Sequence, residues 1–248
     1  MSTPLISIIL PTYNSAKFLE KAVESALDQT FSDFELIIVD NASSDSTTEL
    51  IRKFSDQRIK YIRNAENIGM VNNINKGLGL ACGKLGVILC ADDHWNSAFL
   101  ERSVRTQESN PGLTFTNCIT VRDGIETLYR NVHQGHENIA AWRLVRHLHG
   151  IPLSSLMFPL HSELVGFDPL LPFNCDLEFV LRSMLQLGGR LTMIDWPGVY
   201  VSLHGSNETL RYDIRLENIK LLKIVASHTY NPLLRLLIKL KMKRLQFG

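Results

Sequence analysis

The sequence has no long apolar run, few cysteines and no excess of either charge. No apolar stretch approaches the roughly 20 residues that a membrane-spanning helix needs, and residues 1–4 do not resemble a signal peptide. A net charge of +1 gives no general attraction for nucleic acid. The cysteines lack the C-x-x-C and Cys/His spacing of zinc sites; they are Cys82, Cys90, Cys118 and Cys175. We therefore expect a cytoplasmic protein with free thiols that does not bind nucleic acid.

The first half of the chain alternates apolar strands with amphipathic helices. The patterns predict strands at 5–10, 35–39, 58–62 and 85–89, and helices at 15–29, 46–54 and 72–82. Ser15 is the expected cap of the first helix, and Ser46 and Glu49 fit a capping box for the second. Strand, helix and strand repeated with short links predict an α/β fold with a mainly parallel, twisted sheet flanked by helices.

The second half is less regular. Strands are predicted at 113–121 and 191–201, and helices at 140–149 and 173–187. The polar segment 122–150 otherwise reads as a solvated loop. Its histidines do not have the spacing of a compact ligand set; they are His133, His136, His147 and His149.

Polar residues directly follow three of the predicted strands. Asp92 and Asp93 come after the apolar run 85–89, and two carboxylates at the end of a buried strand are unfavourable unless a cation lies between them. Oxygen ligands suit Mg²⁺ or Mn²⁺; the alternative is a solvated loop that caps the next helix. In parallel sheets, ligands bind outside the carboxyl ends of the strands, which brings 11–14 and Asp40 to the same edge.

Two of these residues suggest contacts with a nucleoside. Tyr13 offers a flat face on which a base can stack, although it could equally pack on the following helix. Asp40 could accept a hydrogen bond from a base or a ribose, whereas Asp45 has the position of a helix cap.

These motifs, taken in order, resemble those of family 2 glycosyltransferases of the GT-A fold. The resemblance covers roughly the first 115 residues and is carried by segments 9–14, 37–45, 67–69, 75–77 and 91–93. It implies a GT-A nucleotide-diphospho-sugar transferase fold. It also implies that a sugar is transferred with inversion from a nucleotide-diphosphate donor, for which UDP is the first choice, and that Mn²⁺ or Mg²⁺ is the cofactor.

The resemblance also implies roles for individual residues. Thr12 and Tyr13 would lie at the nucleoside, Asp40 would read the base, Asp92 would hold the ribose or the donor sugar, and Asp93 would bind the metal. The sequence departs from the common pattern at Asn41, Cys90 and Cys175, where relatives often carry an acid, and at Ile74, where they often carry an Arg.

Two further positions follow from the same resemblance. Asp176 is similar to the second acid of a pair that supplies the general base, which takes the proton of the acceptor hydroxyl; the alternative is a helix cap. His204 is similar to a His near the metal or diphosphate, although a lone His in a loop is more often only exposed.

The C-terminal part is basic, with nine Lys or Arg and two acids from Arg211 onward. We expect a catalytic domain over 1–210, with a donor half at 1–115 and an acceptor half at 116–210, and a helical tail over 211–248. In a helix the tail would align Arg235, Lys239 and Lys243. That suits peripheral contact with the inner face of a membrane; packing on the domain or on a homo-oligomer partner is the alternative.

The sequence thus predicts a glycosyltransferase that extends a glycan or lipid-linked acceptor in cell-surface polysaccharide synthesis. A non-catalytic sugar-nucleotide binder is the main alternative, because Cys90, Cys175 and Ile74 depart from the pattern. A nucleotidyltransferase is disfavoured, because segment 11–14 is not the Gly-rich, basic loop that embraces a triphosphate.

Overall fold

A mixed nine-stranded sheet forms the centre of the protein. The computed structural model describes residues 3–129, 139–148, 151–160, 166–186, 190–205, 207 and 212–247. The strands are β1 (Ile6–Thr12), β2 (Phe34–Asp40), β3 (Ile59–Arg63), β4 (Leu85–Ile88), β5 (His94–Trp95), β6 (Leu113–Arg122), β7 (Ile125–Tyr129), β8 (Met157–Pro159) and β9 (Leu191–Ser202). Their order across the sheet is β3-β2-β1-β4-β8-β6-β9-β5, with β7 paired to β6.

Helices cover both faces of this sheet. They are α1 (Leu19–Leu27), α2 (Thr47–Ile51), α3 (Met70–Leu80), α4 (Phe99–Ser109), α5 (Ala141–His147), α6 (Cys175–Gln186), α7 (Ile214–His228) and α8 (Pro232–Phe247), with a 3₁₀ turn at Leu153–Ser155. No helix in the described part of the chain combines the length and apolar character needed to cross a bilayer.

The predicted parallel sheet is present in the first half. β3, β2, β1 and β4 are mutually parallel, and Thr12 at the end of β1 is in register with Asp40 at the end of β2. β1, β2 and β4 are mostly apolar because both of their faces are covered, whereas the edge strand β3 is partly exposed. Their carboxyl ends therefore lie at one edge of the sheet, as the sequence predicted.

The second half of the sheet is mixed rather than parallel. β8 runs antiparallel to β4 and to β6, whereas β6 and β9 are parallel. β7 corrects the predicted loop, because segment 125–129 forms a hairpin with β6. Its turn is Asp123-Gly124, with φ of 51° and 77°, the left-handed pair that two-residue hairpins require. His147 ends α5, while His133, His136 and His149 lie outside the described residues.

Two apolar clusters, one on each face of the sheet, make up the core. Alternate residues of β1 divide between them: Ile8 faces α1 and α4, and Ile9 faces α3, as a two-residue period requires. Leu221 of α7 and Ile238 of α8 belong to the second cluster, together with α5 and α6. The C-terminal helices thus pack one face on the core; the domain boundary at 210 stays a prediction.

Two predicted helix caps are wrong in detail. Ser46 precedes α2, but its side chain accepts no hydrogen bond from the helix. Asp45 caps the helix instead: the Thr47 N–H donates to Asp45 Oδ1 at 3.0 Å. The first helix begins at Leu19 rather than near Ser15, because Ser15 forms a turn in which its carbonyl accepts from the Phe18 and Leu19 N–H groups.

Candidate active site

The loops that follow β1 and β2 are joined by hydrogen bonds into one polar rim. The Asn14 N–H donates to Ser43 Oγ at 2.9 Å, and Asn14 Oδ1 accepts from the Ser44 N–H at 2.8 Å. Asp45 Oδ2 accepts from the Ala16 N–H at 3.1 Å, so its predicted structural role is confirmed. Asn14 and Ala42 have φ of 50° and 64°. These left-handed conformations are uncommon outside glycine and hold the two loops against each other.

Thr12 and Tyr13 lie on this rim with very different exposure. Tyr13 is 48% exposed, so part of its side chain is accessible for stacking. Thr12 is buried, and its Oγ1 has no hydrogen-bond partner among the described residues. An orphaned buried hydroxyl beside an exposed aromatic ring is compatible with the predicted nucleoside contacts, which stay a prediction.

Asp40 is buried at the end of β2, and its carboxylate is already occupied. Oδ1 accepts from the Ser43 N–H at 2.8 Å, and Oδ2 accepts from the hydroxyls of Tyr61 and Thr48 at 2.9 and 3.1 Å. Arg63 Nη1 approaches Oδ2 at 3.3 Å. Burial alone would raise the pKa of Asp40, but the bonds from Ser43, Tyr61 and Thr48 outweigh it and lower the pKa below its ordinary value. These contacts favour a structural role; base reading by Asp40 stays a prediction.

Replacing Asp40 with Asn should therefore destabilise the fold. The amide would present N–H donors to the donors that now meet a carboxylate, and we expect a loss of about 2–3 kcal/mol in the free energy of unfolding. Urea unfolding above pH 5 measures it, because a carboxyl whose pKa is lowered by folding contributes its stability only above its unfolded pKa. Asp33→Asn, at an exposed acid, is the control. Weaker nucleotide binding with unchanged stability would instead support base reading.

A chain of side-chain amides lies behind the rim. Asn41 Oδ1 accepts from Asn64 Nδ2 at 2.9 Å, Asn41 Nδ2 donates to Asn67 Oδ1 at 2.7 Å, and Lys76 Nζ donates to Asn64 Oδ1 at 2.6 Å. Asn41 thus joins a network of amides and one lysine at the position where an acid is common. Gly77 is required on α3 because a Cβ would clash with Ile9 Cγ2. The segments 67–69 and 75–77 are explained by this packing.

Asp92 faces outward toward the loop after β9. Its Oδ2 lies 3.1 Å from His204 Nε2 and accepts from Asn207 Nδ2, also at 3.1 Å. The ring of Phe18 stacks on His204, with centroids 4.6 Å apart and an interplanar angle of 12°. His204 is thus not merely an exposed loop residue: it is held against Asp92, 112 residues away in the chain.

Asp93 points the other way, into the protein. It is 7% exposed; its Oδ2 accepts from Ser154 Oγ at 2.6 Å and its Oδ1 accepts from the Ser202 N–H at 3.0 Å. Burial, and then the neighbouring Asp92 carboxylate, raise the pKa of Asp93 well above its ordinary value. Burial likewise raises the pKa of the Cys90 thiol, which therefore remains protonated and is a poor ligand for a hard cation.

These residues fit a divalent cation. Ligand atoms of Cys90, Asp92 and Asp93 lie within 4.8 Å of one another, and His204 adds an imidazole. Carboxylate oxygens suit Mn²⁺ or Mg²⁺, whereas an imidazole nitrogen suits the transition metal Mn²⁺ better than the harder Mg²⁺. The sequence assigned the metal to Asp93 and His204 and the donor sugar to Asp92, and this stays a prediction. The contacts favour a different division, because Asp92 faces His204 while both Asp93 oxygens accept from the protein.

Asp176 lies in the first turn of α6, with part of its side chain accessible. Burial raises its pKa to about 6, although backbone hydrogen bonds from Leu177 and Ile151 oppose this rise. A carboxylate with a pKa just below neutrality is suited to accept a proton at pH 7. Cys175, at the start of α6, belongs to the same apolar cluster as Ile88 of β4, the strand that precedes the Asp92–Asp93 loop.

Arg182 and Glu178, one turn further along α6, are structural. Arg182 Nε donates to Glu178 Oε1 at 2.7 Å, and Arg182 Nη2 donates to the Gly166 carbonyl at 2.6 Å. Glu178 is buried. The pair fixes α6 against segment 166–171, so that Asp176 is presented from a rigid helix.

Sequence reasoning missed four residues that complete this site. Ser154 and Ser202 hold Asp93, while Asn207 and Phe18 hold Asp92 and His204. Asn207 lies three residues after His204, and its Oδ1 accepts from the His204 N–H at 2.6 Å; that short spacing was the one available signal. The other three residues have no local motif.

Comparison with known proteins places this geometry among sugar transferases. The model of the family described as "Glycosyl transferase family 2" matches residues 7–158, more than half of the chain. A Campylobacter jejuni relative named GalNAc(5)-diNAcBac-PP-undecaprenol beta-1,3-glucosyltransferase is 37% identical over 126 residues, which are 49% of this chain and 40% of the relative. The chain spans only 35–50% of the length of the first curated relatives that it matches.

Solved structures show the same fold. TarS residues 1–349 from S. aureus, in complex with UDP-GlcNAc, superpose with a TM-score of 0.75 at 18% identity over 90% of this chain and 66% of that chain. The mannosyltransferase PcManGT from Pyrobaculum calidifontis, in complex with GDP-Man and Mn²⁺, gives 0.71 at 17% identity over 100% of this chain and 71% of its own. The predicted α/β fold of the GT-A type is therefore confirmed.

Proposed function

The chain belongs to glycosyltransferase family 2, and from this premise we propose that it transfers a sugar from a nucleotide-diphosphate donor to a glycan or lipid-linked acceptor, with inversion at the anomeric carbon. The observation that carries the proposal is that the exposed Tyr13 and Asp92, which is held against His204, follow the parallel strands β1 and β4 at their carboxyl ends. Ligands of parallel sheets bind at this edge.

The proposed chemistry assigns one task to each side chain. The donor's base stacks on Tyr13, and Thr12 Oγ1 provides a hydrogen bond to the nucleoside. Asp92 and His204 hold the cation, with Asp93 fixed behind them by Ser154 and Ser202. When bound, Mn²⁺ or Mg²⁺ offsets the negative charge that develops on the leaving diphosphate.

The sugar itself is transferred in a single displacement. Asp176 takes the proton of the acceptor hydroxyl while that oxygen forms a bond to the anomeric carbon. The bond from the anomeric carbon to the diphosphate oxygen breaks on the opposite face, and the nucleoside diphosphate leaves. One general base and no covalent intermediate are sufficient for this reaction.

The donor and acceptor classes rest on the relatives. The TarS complex holds UDP-GlcNAc, whereas PcManGT holds GDP-Man; the donor we propose first is a UDP-sugar. The Campylobacter jejuni relative is named for an undecaprenol-diphosphate-linked acceptor, and we propose an acceptor of this lipid-linked kind. We also propose that the protein works on such an acceptor at the cytoplasmic side of a membrane.

A thermal-shift screen tests the donor site. UDP, GDP and dTDP are each added with and without Mn²⁺; a ligand that binds only the folded state at about 100 times its Kd stabilises it by roughly 2.7 kcal/mol. We expect UDP with Mn²⁺ to raise the unfolding temperature most, and UDP alone to raise it less. Tyr13→Ala should reduce this rise, whereas Tyr230→Ala, at a tyrosine outside the site that is 91% exposed, should not. No shift with any nucleotide would contradict the proposed donor site.

A turnover assay that measures release of the nucleoside diphosphate distinguishes a transferase from a protein that only binds the donor. The presence of Cys90 and Cys175 favours a non-catalytic binder. Both side chains are protonated thiols at positions where relatives often carry acids. A binder would show the thermal shift but release no nucleoside diphosphate in the presence of acceptor.

A further inference from the structure

The C-terminal helix α8 has an outward face on which leucines alternate with cations. Leu234 and Ile238 are buried against the core, whereas Leu233, Leu236 and Leu240 are 77%, 54% and 59% exposed. These three recur at the i, i+3, i+7 spacing of one helix face. We call the outward side of α8, with these leucines and the exposed Arg235, Lys239 and Lys243 beside them, the α8 face.

The exposed leucines contribute nothing to the core. Single exposed apolar side chains are common on protein surfaces, but an aligned set bordered by polar residues marks an interaction site. The buried face of α8 already packs on the apolar cluster shared with α5, α6 and α7. The α8 face therefore requires a partner of its own.

The positive charge of α8 indicates which kind of partner would bind the α8 face. Residues 232–247 contain five cations and no acid: Arg235, Lys239, Lys241, Lys243 and Arg244. A second copy of the same face would bring like charges together, which is unfavourable without counter-ions. Anionic lipid headgroups neutralise these cations while the leucines enter the boundary of the acyl chains, as in helices that lie in the membrane interface.

We propose that the α8 face docks the protein on an anionic phospholipid bilayer. The neighbouring helix supports this assignment: Lys241 Nζ donates to the Arg146 carbonyl of α5 at 2.8 Å, and one turn earlier α5 exposes Trp142. Tryptophan is enriched at membrane interfaces because its ring is apolar and its N–H is polar.

The docked helix would hold the candidate base near the lipid surface. Asn218 of α7 accepts a hydrogen bond from Asn174 Nδ2 at 3.2 Å, and the rings of Phe173 and Tyr212 are 6.0 Å apart. Asp176 follows two residues after Asn174. This benefit for a lipid-linked acceptor rests on the proposed function; docking itself does not.

Vesicle flotation of the full chain tests the proposal. Vesicles of phosphatidylcholine containing phosphatidylglycerol should carry the protein, pure phosphatidylcholine should not, and added salt should weaken binding. Each lysine near an anionic surface contributes about fivefold, so Lys239→Glu with Lys243→Glu should weaken binding by about 30-fold or more. Leu236→Ser with Leu240→Ser should weaken it by about tenfold or more.

Matched controls are available at exposed residues that are distant from α8 in the sequence. Lys53→Glu reverses an exposed charge after α2, and Ile125→Ser removes an exposed apolar side chain of β7; neither should change flotation. All of these side chains are exposed, so the variants should unfold at the wild-type temperature.

Three results would overturn the proposal. The first is a wild-type protein that fails to bind phosphatidylglycerol vesicles, and the second is that the α8 variants float to the same extent as wild type. The third is a lipid-free dimer that the double variant Leu236→Ser with Leu240→Ser converts to a monomer. The last would assign the face to a second copy. Nucleotide binding, measured without lipid, is independent of all three, so failure of docking and failure of the proposed reaction are distinguishable.

Discussion

Replacing Asp176 with Asn is expected to lower the rate of sugar transfer by about 10³-fold or more, because a general base typically contributes 10²–10⁴-fold. The amide has the size of the carboxyl but cannot accept the proton of the acceptor hydroxyl. Asp176 lies on α6 and has no proposed contact with the nucleotide, so nucleotide binding in the thermal-shift assay should be unchanged.

The pH dependence of wild-type transfer provides a second readout. Only the ionised carboxylate accepts a proton, so the rate should rise as the pH increases through about 6, the pKa of Asp176. A carboxyl whose pKa is raised by folding lowers the free energy of unfolding as it ionises. Asp176→Asn should therefore be at least as stable as wild type at pH 7, which excludes unfolding as the reason for lost activity.

Asp213 provides the control for this prediction. It also lies at a helix start, where its carboxylate accepts from the Arg215 and Leu216 N–H groups at 2.9 and 3.2 Å. Asp213→Asn should retain wild-type transfer. If Asp176→Asn also kept wild-type turnover, Asp176 would be only a helix cap.

Replacing Asp92 with Asn should abolish the effect of Mn²⁺. The variant keeps the shape of the side chain but removes the charge that faces His204, and we expect a loss of about 10³-fold in transfer because the cation supplies several kcal/mol of charge stabilisation. Thermal shift should show that UDP stabilises this variant to the same extent with and without Mn²⁺. The fold should be unaffected, since Asp92 is partly exposed.

The variant Asp93→Asn tests which carboxylate of the Asp92–Asp93 pair binds the cation. Both Asp93 oxygens accept hydrogen bonds from the protein, and burial raises the pKa of this carboxyl, so a neutral amide of the same size should leave both the fold and the Mn²⁺-dependent stabilisation in place. The opposite pattern, in which Asp93→Asn loses the Mn²⁺ effect and Asp92→Asn keeps it, would restore the assignment made from the sequence.

The sequence predicted those parts of the site that are encoded locally. Asp92, Tyr13 and Asp40 each follow an apolar strand, and parallel strands bring their carboxyl ends to one edge whatever the details of packing. Ser154 and Ser202 escaped prediction because they reach Asp93 from 61 and 109 residues away. No local periodicity reports a contact across that distance.

The errors in the fold have equally local causes. β7 is exposed along its whole length, so it lacks the apolar alternation that identifies a strand, and the Asp123-Gly124 turn was the signal that should have outweighed its polarity. The sequence aligned Arg235, Lys239 and Lys243 on α8 but did not show which leucines pack on the core. The structure buries Leu234 and exposes Leu233, because the direction of packing is set by α5 and α7 and not by the helix itself.

Analysis of the transfer product tests the central claim most directly. The purified protein, a UDP-sugar and a lipid-diphosphate-linked acceptor are incubated with Mn²⁺ or with a chelator, and the anomeric configuration of the new bond is determined by NMR. The account predicts a product whose configuration is opposite to that of the donor and which forms only with the cation. A product with retained configuration, or bound donor with no product, would contradict it.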